Sequence, residues 1–272
     1  MWAQGFGSWG KGDSDGNAAA FDRNSKGFVM GVDGGAPFLG GGEFRAGVFG
    51  HYVETDLDVD SMGSHARLKR YGGGAYIGMT FGGLEANLGF SASDVHADVR
   101  RTIAFAGTAT SATGARNGSE MQAFGELGYR LPMGAATFIE PYAAASIANV
   151  RLHRTAEAGA ITRVDVTQQQ NDLGTLDLGL RAGASLGTVR LSGRAAARHW
   201  FGDRQVASLV ALDLAQQQPF LVRTTPFDDW GAVAALDASV QLGGVSASLG
   251  YSGVFSSSVT DHAAKATVAV HF

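Results

Sequence analysis

Residues 266–272 read ATVAVHF. Counting back from Phe272, the apolar side chains fall on every second position. Phe272, Val270, Val268, Ala266 and Ala264 form one face, and His271, Ala269, Thr267 and Lys265 the other. Side chains on a strand point alternately to its two faces, so this segment reads as a strand with one oily and one mostly wet face. A soluble sandwich strand has the same pattern, so the rest of the chain must decide.

The alternation recurs along the whole sequence. In LEANLGFSAS (84–93) Leu84, Ala86, Leu88, Phe90 and Ala92 oppose Glu85, Asn87, Gly89, Ser91 and Ser93. In GTLDLGLRAGASL (174–186) the leucines and alanines oppose Thr175, Asp177, Gly179, Arg181, Gly183 and Ser185. WGAVAALDASVQL (230–242) and GVSASLGYSG (244–253) behave alike. Twelve such runs are expected as strands: 2–11, 26–35, 43–55, 67–81, 84–98, 119–131, 137–152, 171–186, 188–201, 229–242, 244–255 and 261–272. At about 10 to 16 residues they match bilayer-crossing strands rather than globular strands of about 5–6.

Composition agrees. Charged residues make up 17%, below the roughly 25% of soluble domains. Forty glycines argue against long helices, and no apolar run approaches the length of a spanning helix. A net charge of −4 offers no basic field for nucleic acid. The absence of cysteine excludes disulfides, thiolate metal sites and a cysteine nucleophile. No metal-ligand spacing or cofactor motif stands out, and YGGGAYIG (71–78) lies on a strand with no helix to make a phosphate cradle. WAQGFGSWGKG lacks the layout of a signal peptide, so an exported protein would be represented by its mature segment.

Connections alternate between short Gly- or Pro-rich turns and long polar stretches at 12–25, 56–66, 99–118, 153–170 and 202–228. Short turns at one end and long loops at the other mark an outer-membrane barrel. In hydrocarbon every backbone polar group needs a partner within the protein, so the sheet must close, with the last strand on the first. The expectation is a single domain over 1–272: an all-β, 12-stranded antiparallel transmembrane barrel, monomeric, in outer-membrane lipid, with both termini on the periplasmic side.

The opening WAQGFGSWG, GVDG at 31–34 and the terminal Phe272 resemble the classical (type V) autotransporter translocator domain. The resemblance covers essentially the whole chain. It implies a Gram-negative outer-membrane barrel that anchors and helps export an N-terminally fused passenger, whose linker helix occupies the pore. It also implies that the last strand, Ala266, Val268, Val270 and Phe272, is the signal read by the barrel-assembly machinery. No linker precedes Trp2 here, so the lumen is expected to lack that helix.

On this register Arg130, Arg181, Arg190, Arg194, Arg198 and Asp237 face the lumen and are candidates for contacting the linker. Glu85, Glu126, Glu140 and Asp177 face inward too. The resemblance makes them weak candidates for assisting self-cleavage of the linker, which requires a carboxylate tuned by burial and neighbouring charge. The plainer role of all ten is to brace a water-filled pore. Two other readings are a passive channel and a barrel enzyme with a rim site near His65 or His153, although no G-x-S-x-G or H-E-x-x-H motif occurs. Trp2, Trp9, Trp200, Trp230, Tyr52, Tyr129, Tyr251 and Phe272 are expected at the membrane interfaces.

Overall fold

The structure, a computed structural model, describes residues 1–16, 18–38, 40–59, 63–105, 108–159, 164–205, 207–212, 220–224 and 226–271. Its strands in chain order are β1 (Trp2–Gly12), β2 (Phe21–Phe38), β3 (Gly42–Val59), β4 (Ser64–Phe81), β5 (Leu84–Phe105), β6 (Thr108–Tyr129), β7 (Leu131–Pro132), β8 (Thr137–Leu152), β9 (Thr155–Ala156), β10 (Val164–Val166), β11 (Gln169–Leu186), β12 (Val189–Gly202), β13 (Ala207–Leu212), β14 (Phe220–Arg223), β15 (Trp230–Leu242), β16 (Val245–Phe255) and β17 (Val259–Val270). Twelve of these are long and pair antiparallel with their neighbours in the order β1-β2-β3-β4-β5-β6-β8-β11-β12-β15-β16-β17. The circle closes where β17 pairs with β1, from Trp2↔Ala269 to Gly12↔Val259. The Met1 amine and carbonyl add bonds of 3.0 and 2.8 Å to Val270. The final strand is thus the seam of the barrel. Phe272 itself lies outside the described residues.

Parity along each strand sets the two surfaces. Leu88 and Phe90, Leu178 and Leu180, Leu236 (68% exposed), Leu249 (67%), Val268 and Val270 point outward and are exposed. An apolar belt of this extent is what hydrocarbon solvates, so these exposed faces are the lipid-contacting surface. At the turn end, β4–β5, β11–β12 and β15–β16 each close through two residues. The first is Gly82, Gly187 or Gly243, with φ of 59°, 64° and 59°. This left-handed conformation suits the twist of a hairpin and is open to glycine at no steric cost. The strand β4 carries Gly72 and Gly74, where a Cβ would lie 2.0 Å from the Ala92 carbonyl oxygen and 2.2 Å from that of Phe90. The β5 backbone approaches β4 that closely only because no side chain intervenes.

The loop end departs from expectation. Most of the stretch 99–118 is strand, since β5 and β6 run 22 residues each. The expected loops at 153–170 and 202–228 contain β9, β10, β13 and β14, which form a separate four-stranded sheet. A paired Thr113–Ala158 bridge joins this sheet to the upper part of β6. At the loop end Ala112, Val164 and Val210 are buried, but the buried positions are too few on each short segment for the sequence to show a sustained alternation.

Candidate functional site: the charged wall of the lumen

A dense charge network lines the lumen from β5 round to β17, with further pairs at Arg70–Glu120 and Arg23–Asp261. Glu140 on β8 is opposite Arg181 on β11 and ion-paired to it. Glu140 has no exposed surface. Its other oxygen accepts from Arg130 at 3.0 and 3.1 Å, and Arg130 reaches on to Glu85 at 2.9 Å. Arg181 also donates to Glu126 at 2.6 Å. Arg198 grips Asp177, directly opposite it, through two 2.7 Å bonds. Asp237 and Lys265 meet at 2.9 Å across Gly250, where a Cβ would lie 2.4 Å from either side chain. Forked arginine–carboxylate bonds of this kind are strong and geometrically specific. Aromatic rings buttress them: the Arg130 guanidinium lies 4.2 Å from the Phe138 ring centre and that of Arg181 5.1 Å from Tyr142.

The sequence-predicted residues thus come together on one wall, with two distinctions. Arg194 approaches a carboxylate only at 3.9 Å, from Glu126. Arg190 is exposed at the turn end, and among the described residues no carboxylate pairs with it. Glu85, Glu126, Glu140 and Asp177 are all engaged by arginines.

The opposite wall carries aromatics and glycines. Trp2 Nε1 donates to Tyr76 Oη at 3.0 Å, and that hydroxyl donates to Asp33 at 2.6 Å. The Tyr76 ring lies over Gly47, where a Cβ would be 2.6 Å from it. Trp2 and Trp200 are therefore corrections to the expected girdle. Both face the lumen, Trp200 buried beside Arg198. Parity rather than nearness to a strand end decides the face, and Trp200 shares parity with Arg198. Trp9, Trp230, Tyr129 and Tyr251 do point outward and are exposed. Three lumen groups were missed from sequence: Tyr142, Tyr76 and the pair His51–Ser93, bonded at 2.8 Å across Gly72. Tyr142 shares parity with Glu140 and Ser93 with Glu85, both assigned inward, whereas β3 and β4, which carry His51 and Tyr76, alternate too loosely in sequence to be oriented. At the rim, His65 Nδ1 lies 2.7 Å from Asp58, while the backbone carbonyl of His153 accepts from Arg116 at 3.0 Å.

A closed, even-stranded barrel that is apolar outside, ionic inside, and short-turned at one end only is an outer-membrane barrel. The profile of the Autotransporter beta-domain family matches residues 1–252. The chain belongs to that family, whose barrels export a passenger domain by type V secretion. An extracellular serine protease of Serratia marcescens is 26% identical over 277 residues, covering all of this chain and 26% of the relative. The chain thus spans about a quarter of the length of the curated relatives it matches. Among solved structures, the translocator domain of autotransporter NalP from Neisseria meningitidis superposes with a TM-score of 0.75 at 15% identity, covering all of this chain and 87% of that one. The beta domain of the Bordetella autotransporter BrkA gives 0.69 at 21%, covering all of this chain and 98% of that one.

Proposed function

We infer that this barrel anchors a passenger fused ahead of Trp2 and passes it through the lumen, with both termini on the periplasmic side. The arginine-lined wall guides the linker. The observation that carries this reading is that β1 closes the barrel with its first residue, Trp2, turned into the lumen at the turn end. A segment joined there starts at the mouth of the pore. Arg190, Arg194 and Arg198 then present their unshared guanidinium faces to acidic groups on the segment, and a polar pore admits a chain that hydrocarbon would reject. The outward-facing Ala266, Val268 and Val270, with Phe272, serve as the segment recognised by the assembly machinery. With Glu85, Glu126, Glu140 and Asp177 all tied to arginines, bracing and guidance suit these carboxylates better than self-cleavage.

The test is surface display. An epitope-tagged passenger joined to Trp2 by a flexible linker is expressed in a Gram-negative host, and protease is added to intact cells. The tag is expected to be cleaved in cells whose barrel is inserted. A tag that stays protected while the barrel is correctly folded and inserted contradicts the reading. Val270→Asp is expected to lower the inserted amount severalfold, and unchanged insertion removes the role given to the last strand.

A further inference from the structure

We propose that Tyr142 and Arg194 form a seat for one carboxylate in the lumen wall. Two buried hydrogen-bond donors on this wall have no partner: the Tyr142 hydroxyl and Arg194 Nε. Tyr142 is only 5% exposed. Leaving a buried donor unsatisfied is costly, and an unsatisfied one in a native structure points to an absent acceptor.

The register brings the two donors within reach of each other. Tyr142 on β8 is opposite Gly179 on β11, and Gly179 is opposite Ala196 on β12. Arg194 occupies the next lumen-facing position of β12. Two strand spacings, about 10 Å, separate β8 from β12; Gly179 and Ala196 leave the diagonal between them low, and Arg181, directly opposite Arg194, flanks it with its guanidinium 5.1 Å from the Tyr142 ring centre. Both side chains are long enough to span that gap from opposite sides.

The charges point the same way. Arg130, Arg181, Arg190, Arg194 and Arg198 outnumber Glu85, Glu126, Glu140 and Asp177 by one, while Asp237 and Lys265 cancel. Within this set one positive charge is in excess, and the neighbouring Glu120 is paired with Arg70. Arg194 is the arginine with a distant carboxylate and a spare donor, and its side chain is 36% exposed to the lumen. An incoming carboxylate meets this exposed guanidinium first. The flexible stem of Arg194 then swings toward Tyr142, whose hydroxyl donates to the second oxygen. A planar guanidinium with a phenol beside it selects a flat, two-oxygen anion. The carboxylate comes from an Asp or Glu of the exported segment, in which case the seat rests on the export reading above, or from a free small carboxylate in the lumen.

The side-chain Nε–H resonance of Arg194 in the isotope-labelled, refolded barrel, assigned by its loss in Arg194→Gln, reads the seat directly. The probes are sodium acetate, a blocked Ala-Asp-Ala tripeptide, and the blocked Ala-Asn-Ala tripeptide as control. Saturable shifts with acetate and the Asp peptide alike, but not the Asn peptide, are expected, and Tyr142→Phe is expected to weaken binding about tenfold. Response to the Asp peptide alone supports a seat for a presented side chain, and response to acetate alone a seat for a free anion. No saturable response to either, an equal response to the Asn peptide, or unchanged affinity in Tyr142→Phe overturns the proposal. Surface display by Arg194→Gln and Tyr142→Phe barrels is scored separately, so loss of the seat with export intact leaves the export reading standing.

Discussion

Glu140→Gln tests the energetics of the charged wall. Glu140 is wholly buried and holds Arg181 and Arg130 at once. Removing one partner of a buried ion pair costs about 3–5 kcal/mol, because a desolvated charge is left behind. That range is reduced here, because both arginines keep a second carboxylate. Arg181 retains Glu126 at 2.6 Å, and Arg130 retains Glu85 at 2.9 Å. Arg130 is also 39% exposed, so water recovers part of its loss. The expected cost is roughly 2–3 kcal/mol, or roughly 30- to 150-fold in the folding equilibrium. Glu85→Gln removes the outer, more solvated half of the same chain and is expected to cost under about 1 kcal/mol. The assay is urea unfolding of the refolded barrel in lipid vesicles, followed by tryptophan fluorescence and by the gel-mobility difference between folded and unfolded barrels. Equal midpoints for Glu140→Gln and the parent, or a larger effect from Glu85→Gln, would refute the argument that burial of the shared carboxylate sets the energy.

Three further outcomes are expected. Tyr76→Phe deprives Trp2 and Asp33 of a shared partner and should cost about 1–2 kcal/mol in the same urea assay; no change would mean lumen water replaces both bonds. Gly72→Val places a side chain against the Ala92 carbonyl oxygen and should abolish the folded gel band, whereas Gly34→Ala, with open space around it, should leave it intact. At the loop end, Asp228 accepts from the hydroxyls of Ser257 and Ser258 at 2.7 Å and from the Ser258 amide at 2.8 Å. Partial burial pushes its carboxyl up, but these bonds and the Ser256 hydroxyl outweigh that and hold it well below the usual carboxylate range. Its contribution is therefore complete above the unfolded Asp value of about 3.9 and is lost as pH falls through the lower folded value. The Ser258 amide resonance should hold its position from pH 7 to 5, and Asp228→Asn should shift it already at pH 7. A shift of the parent resonance between pH 7 and 5 would contradict this.

The membrane-embedded half of this protein is written in its sequence because lipid outside and water inside impose opposite demands on alternate residues. Leu176, Leu178 and Leu180 against Asp177, Gly179 and Arg181 give strand, register and face at once. The inward assignment of Arg130, Arg181, Arg194, Arg198 and the four carboxylates followed from that parity. Their partners did not. Glu140 meets Arg130 ten residues away but Arg181 forty-one residues away, and only the register between strands joins them. In the loop-end sheet the alternation inside 202–228 allows the hairpin of β13 and β14, but its pairing with β10 was not legible. Val164, Asp165 and Val166 alternate over only three residues, and their pairing with Val210, Ala211 and Leu212, which buries Val164 and Val210, joins segments more than forty residues apart. Trp2 and Trp200 were misplaced where composition, aromatics near strand ends, was preferred to parity.

The central claim is a barrel closed by its own ends in an outer membrane. The chain contains no cysteine, so paired substitutions report cleanly. Gln4 and Thr267 face each other across the seam, with a 3.1 Å hydrogen bond between their side chains. With cysteines at both positions and the protein inserted in the outer membrane of intact Gram-negative cells, mild oxidation should yield an intramolecular disulfide in most molecules. A Gln4→Cys chain with cysteine at Lys265 or Ala269 should yield little. Absence of the 4–267 cross-link, or its appearance only between separate chains, would contradict a barrel closed by β1 on β17.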